Sequence, residues 1–257
     1  MVNYTFNDLL VAEKKVLNET KKIFPEIGYY KTLFNEFQKI FSIDTVWEYP
    51  NDDQKKPPEK YLIRTHALKA VFTSNSILNL SLRGYYGQSY GLLRSLIEDF
   101  EHILFFHYQL PNEIKQWNEG KINRQSVHNM ISKNIDIPNN YRKVVKTQVK
   151  LFERLNKFVH PSRESWTGVF YIDNEIDELK EKLLPVFVHS TFEIILLILI
   201  LYNVNILDFI INIYEVDFRY LDILTNLNKI LDETILYYIL PTMKKLHLGD
   251  YSFNFKT

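Results

Sequence analysis

The chain has 257 residues, 46% of them hydrophobic, and its 31 Lys and Arg are balanced by 31 Asp and Glu. That length can bury one large core, and 17 Tyr and 18 Phe against only 7 Gly favour packed aromatic layers over flexible linkers. Cysteine is absent, which excludes disulfides, thiolate zinc sites, cysteine-ligated iron–sulfur clusters and cysteine nucleophiles.

Apolar residues recur at three- and four-residue spacing through most of the chain, and alternation of period two is scarce, so the expected class is all-α, a bundle of long antiparallel helices. The opening, MVNYTFNDLLVAEKK, lacks a basic segment followed by an apolar core and a small-residue cleavage site; a cytoplasmic location is expected. Spacing predicts helices over 5–23 and 28–41. The stretch WEYPNDDQKKPPEK, residues 47 to 60, has three prolines and mixed charges, and reads as an exposed loop.

Helices are then expected over 60–82 and 85–110. Between and within them, Ser81, Gly84, Gly87, Gly91 and Ser95 form a run of small residues. Either a neighbouring helix approaches this run closely, or Gly84 or Gly87 ends one helix before the next begins. In the second of these helices Leu93, Leu96, Ile97, Phe100, Ile103 and Leu104 share an apolar face. Arg94, Glu98 and His102 follow one another in four-residue steps, with Glu101 beside them, as either a solvated strip or a buried polar network.

Further helices are expected over 123–134, 140–160, 174–184, 186–202, 205–214 and 217–239. The 140–160 helix places Val145, Val149, Phe152, Asn156 and Val159 inward, and Lys143, Lys146, Lys150, Arg154 and Lys157 on a basic stripe. From Asn139 to Arg163 there are seven Lys or Arg against one acid, Glu153. Such a stripe is either the polar side of an amphipathic helix or a seat for phosphates. Pro161 should stop this helix at His160, where the negative end of the helix dipole favours a protonated imidazole.

Pro185 either opens a new helix or kinks a continuous one. The most apolar stretch, PVFVHSTFEIILLILILYNVNILDFIINI, is interrupted by His189, Glu193, Asn203, Asn205 and Asp208. It is expected to be a buried central helix rather than a membrane span.

Two pieces, LLRSLIE at Leu92 to Glu98 and LNKFVHPS at Leu155 to Ser162, resemble a poorly characterised bacterial family of helical proteins. That family is similar to the HEPN superfamily of nucleotide-binding helical domains. The resemblance covers about residues 60 to 205. With no internal repeat or low-complexity segment, a single all-helical domain is expected over residues 1–257; the resemblance implies a HEPN-like core in its range, with N- and C-terminal helices packed on it.

Many HEPN proteins are metal-independent endoribonucleases, often toxins or defence effectors, with an arginine, four to six intervening residues and a histidine. By resemblance Arg154 would hold the scissile phosphate, and His160 would handle a proton as the ribose 2′-hydroxyl attacks. Leu155 follows the arginine where the commonest form has a polar residue, and Asn156 stands one position later. Arg94, Glu98, Asn156, His102 and Ser162 are supporting candidates, and Lys143, Lys146, Lys150 and Lys157 are candidates for the RNA backbone. The resemblance further implies a homodimer, RNA as a partner, and a protein partner or antitoxin.

Two other readings stay open. One is a non-catalytic helical scaffold, sensor or partner-binding module; the other is a small-ligand or nucleotide-binding protein with an aromatic-lined pocket. No metal and no cofactor are expected, because no His pair has helical zinc spacing, no repeated Glu-x-x-His pattern occurs, and Gly-rich phosphate loops and a nucleophile elbow are missing.

Overall fold

The computed structural model describes residues 6–23, 27–41, 59–109, 111–146, 177–214, 225–226 and 229, and every regular element among them is helical. In chain order these are α1 (Phe6–Ile23), α2 (Ile27–Phe41), α3 (Glu59–Leu82), α4 (Tyr86–Tyr108), α5 (Pro111–Asn118), α6 (Arg124–Lys133), α7 (residues 139–146) and α8 (Asp177–Tyr214). The all-α expectation therefore holds. The expected loop at 47–60 and helix at 217–239 fall largely outside the described residues.

α3 and α4 form the spine, an antiparallel pair packed along its length. α3 buries Ile63, Ala67, Ala70, Val71, Ser74, Ile77, Leu78 and Ser81, a stripe at three- and four-residue spacing whose small members let the two helices approach closely. α4 buries all six residues expected on its apolar face.

Gly84 resolves the small-residue run in favour of a stop signal. Its φ is 88°, in the left-handed region, and it ends α3 with Gly84 N donating to Ser81 O (3.1 Å) and Tyr85 N to Leu80 O (3.0 Å). A Cβ at Gly84 would also stand 3.1 Å from Val16 Cγ1 of α1. Gly87 and Gly91 lie inside α4.

α5 was not foreseen from periodicity. It opens on Pro111 at its first position, runs for 8 residues, and packs Ile114 and Trp117 against the core. Gly120, with φ of 70°, ends it by the same pair of bonds that ends α3. Asn123 caps α6, its Oδ1 accepting from Ser126 N at 3.0 Å.

Where three helices were expected between 174 and 214, the structure has one of 38 residues, continuous through Pro185. Its segment Ile194–Asn212 is long and apolar enough to cross a membrane, but 78% of it is buried inside the protein against other helices. It is a core helix, packed on α1, α3 and α4. The asparagines do not break it because Asn203 Nδ2 donates to Leu199 O and Asn205 Nδ2 to Leu201 O, each at 2.7 Å. Asn203 Nδ2 also reaches Ser74 Oγ at 2.7 Å, tying α8 to α3 inside the core.

Candidate functional site

The strip Arg94, Glu98, Glu101 and His102 is not a simple solvated face. α4 turns it toward α3 and α6, and two buried carboxylates become hubs.

The first hub is Glu101, whose side chain is fully buried. His128 Nδ1 of α6 lies 2.7 Å from Glu101 Oε1, and Arg124 Nη2, one helical turn earlier in α6, lies 3.6 Å from Oε2. Arg124 Nε also stands 3.3 Å from Glu98 Oε1, the same oxygen that receives Arg94 Nε at 3.3 Å. Glu98 thus sits between two guanidinium groups. Burial lowers the proton affinity of Arg124, and the Glu101 and Glu98 charges oppose that effect, so the guanidinium stays charged.

The second hub is Asp99, with a side chain 1% exposed. Its Oδ1 takes both His66 Nδ1 (2.7 Å) and Lys69 Nζ (2.8 Å) from α3. His102 lies between the hubs. Its Nδ1 donates to the main-chain oxygen of Glu98 at 2.7 Å, and its ring stacks on His66 and meets the edge of Trp117 from α5. Burial, and then the neighbouring His66, pull the His102 imidazole below its ordinary value. His102 is therefore neutral at pH 7.

A looser pair joins the far ends of the two long helices. His107 Nδ1 is 3.6 Å from Glu59 Oε1, and burial pushes both groups toward neutrality: Glu59 up to about 7, His107 down.

Of the sequence candidates, Arg94, Glu98 and His102 are thus brought together, and Glu101 with them. Lys143 and Lys146 are exposed on α7, whose Val144 and Val145 are buried. Arg154, Asn156, His160, Ser162, Lys150 and Lys157 lie outside the described residues. The sequence reading missed His66, Lys69, Asp99, Arg124 and His128. Their only local signal was the spacing of Arg124 to His128 and of His66 to Lys69 on single helix faces; their partners are remote in the chain. Among the described residues no group of three or more His, Asp and Glu side chains is arranged to hold a metal ion.

No protein-family model, curated protein or solved structure matches this chain significantly.

Proposed function

We propose that the chain is a HEPN-like RNA-cleaving or RNA-binding effector of a bacterial defence or toxin system, working without a metal ion in the cytoplasm as a homodimer, with an antitoxin or other protein partner. The observation that supports this most is the charge-dense arc of α4. Removing a carboxylate from water costs several kcal/mol before pairing repays it, yet α4 holds Glu101 and Asp99 at 0% exposure and Glu98 beside them. Such concentrations of desolvated acids, histidines and arginines are typical of functional sites. In this reading Arg154 and His160 act on the phosphodiester, Arg94, Glu98, His102, Asn156 and Ser162 support them, and Lys143, Lys146, Lys150 and Lys157 follow the RNA backbone.

The test is cleavage of labelled single-stranded and structured RNA, with and without EDTA, by the parent chain and by folded Arg154→Ala and His160→Ala variants. Metal-independent cleavage that falls about 10²–10⁴-fold in the variants is the expected result.

A second reading, a non-catalytic partner-binding module, draws support from the internal pairing of the arc: each of Glu98, Asp99 and Glu101 already faces a basic side chain. Intact RNA with folded parent protein would favour it.

A further inference from the structure

α3 turns one side to the core and the other to solvent, and the outer side is not built like the charged face of an ordinary surface helix. From Tyr61 onward its exposed positions are Tyr61, Thr65, Lys69, Phe72, Ser76 and Asn79, a second stripe at three- and four-residue spacing. Phe72 is 59% exposed and Tyr61 44%. Partly buried Leu68 of α3 and Leu92 of α4 lie with Phe72 in the lining of an open groove of about 460 Å³.

The donors of this stripe are already engaged within the chain. Thr65 Oγ1 donates to Tyr61 O at 2.9 Å, Ser76 Oγ to Phe72 O at 3.0 Å, and Lys69 Nζ to the Asp99 carboxylate at 2.8 Å. Covering the stripe therefore strands neither hydroxyl and leaves no unbalanced charge, which removes most of the cost of burying polar groups. An exposed ring beside two leucines, with its polar neighbours satisfied, is a surface suited to packing against another helix.

Charge selects that helix. The Glu, Lys and Arg residues of α3, Glu59, Lys60, Arg64 and Lys69, all fall in its N-terminal half, and none lies between Ala70 and Leu82. A second α3 laid parallel would set the three basic residues against their own copies. Laid antiparallel, it sets the basic half of each helix against the uncharged half of the other. The midpoint of α3 falls at Ala70 and Val71, so a two-fold axis there aligns the two helices along their full length of about 36 Å. In that register Phe72 meets Leu68 of the second copy, and Tyr61 meets its Asn79. The two Lys69 side chains come nearest the axis, each balanced by its own Asp99 and 52% exposed, so their charged ends stay in water.

We propose that the outer face of α3 is the surface through which two copies of this chain pair, antiparallel about a two-fold axis at the level of Ala70, with Phe72 of each seated in the groove of the other. This takes only the homodimer from the reading above and owes nothing to RNA chemistry. One helix pair is a small interface, so the copies separate on dilution.

Sedimentation velocity over a dilution series compares the full-length parent with Phe72→Lys, which adds a cation beside Lys69 of the second copy. The parent is expected to dimerise, and the variant to associate at least about 30-fold more weakly, as for a central aromatic anchor. Because the chain has no cysteine, Tyr61→Cys and Asn79→Cys, both at exposed positions, report the register. Mixed and oxidised, these two variants should form a cross-linked dimer, and neither should cross-link alone. A parent dimer that Phe72→Lys leaves equally tight overturns the surface while the homodimer stands; a parent that stays monomeric throughout overturns both and leaves the face to a different partner. Cross-linking of either cysteine variant with itself, without the mixed product, means a parallel pair and overturns the antiparallel arrangement.

Discussion

α8 and α4 are both central to the core, and they treat polar groups in opposite ways. α8 is apolar on nearly all sides, and its intruding asparagines turn back onto their own helix, Asn203 on Leu199 O and Asn205 on Leu201 O. α4 has one apolar face, flanked on its two sides by buried carboxylates whose partners come from other helices: His66 and Lys69 from α3 on Asp99, Arg124 and His128 from α6 on Glu101. The asparagine amides of α8 bond to the helix that contains them, and Asn203 reaches Ser74 of α3 as well. The carboxylates of α4 are held by the tertiary fold, so the loss of one strands several others.

The sharpest way to break this comparison is Glu101→Ala. It leaves His128 without its carboxylate and Arg124 with one partner fewer in a desolvated place, and removing one member of a buried pair costs about 3–5 kcal/mol. Glu98→Ala, at a position whose side chain is 29% exposed, should cost no more than about 1 kcal/mol. Urea midpoints of the two variants check this, and equal losses would mean that Glu101 is not a hub.

Asn203→Ala comes next in size. It removes the amide that donates to Ser74 Oγ and to Leu199 O, but Ser74 keeps its own bond to Ala70 O at 2.7 Å, so neither loss leaves a charge stranded. The expected loss is about 1–3 kcal/mol, read from the same denaturation curves. A loss as large as that of Glu101→Ala would erase the difference between the two helices.

The same contrast explains what could be read in advance. The apolar stripe of α4 and the Arg94–Glu98–His102 row were legible because i,i+4 geometry is local. Asp99 was not, since it lies between Glu98 and Phe100 in the chain and only the packing of α3 decides that it meets His66, 33 positions away. His128 is likewise 27 positions from Glu101. In α8 the expected division into helices over 186–202 and 205–214 does not occur, and the two asparagines beside it each bond four residues back within one continuous helix. α5 escaped notice because 8 residues with two partly buried anchors, Ile114 and Trp117, give too little periodicity.

The smallest effect concerns the end of the α3–α4 pair, where charge is avoided rather than stored. Glu59 titrates near 7 in the folded chain and at 4.5 unperturbed, because burial disfavours its carboxylate. The folded state then binds the proton more tightly, so this group's contribution to stability is present below pH 4.5 and is lost as pH rises through about 7. His107 has the opposite sign: its imidazole is lowered by burial, and its contribution is present above 6.5 and lost as pH falls through its folded value. Glu59→Gln should therefore flatten the decline of Tm between pH 4.5 and about 7 without touching the acid-side decline that His107 and His102 produce. With 42% of the Glu59 side chain exposed, solvent screening keeps the change small. Thermal melts of parent and variant across that range measure it, and parallel curves would show that Glu59 ionises as it does in water, and that the 3.6 Å contact with His107 is an ordinary surface ion pair.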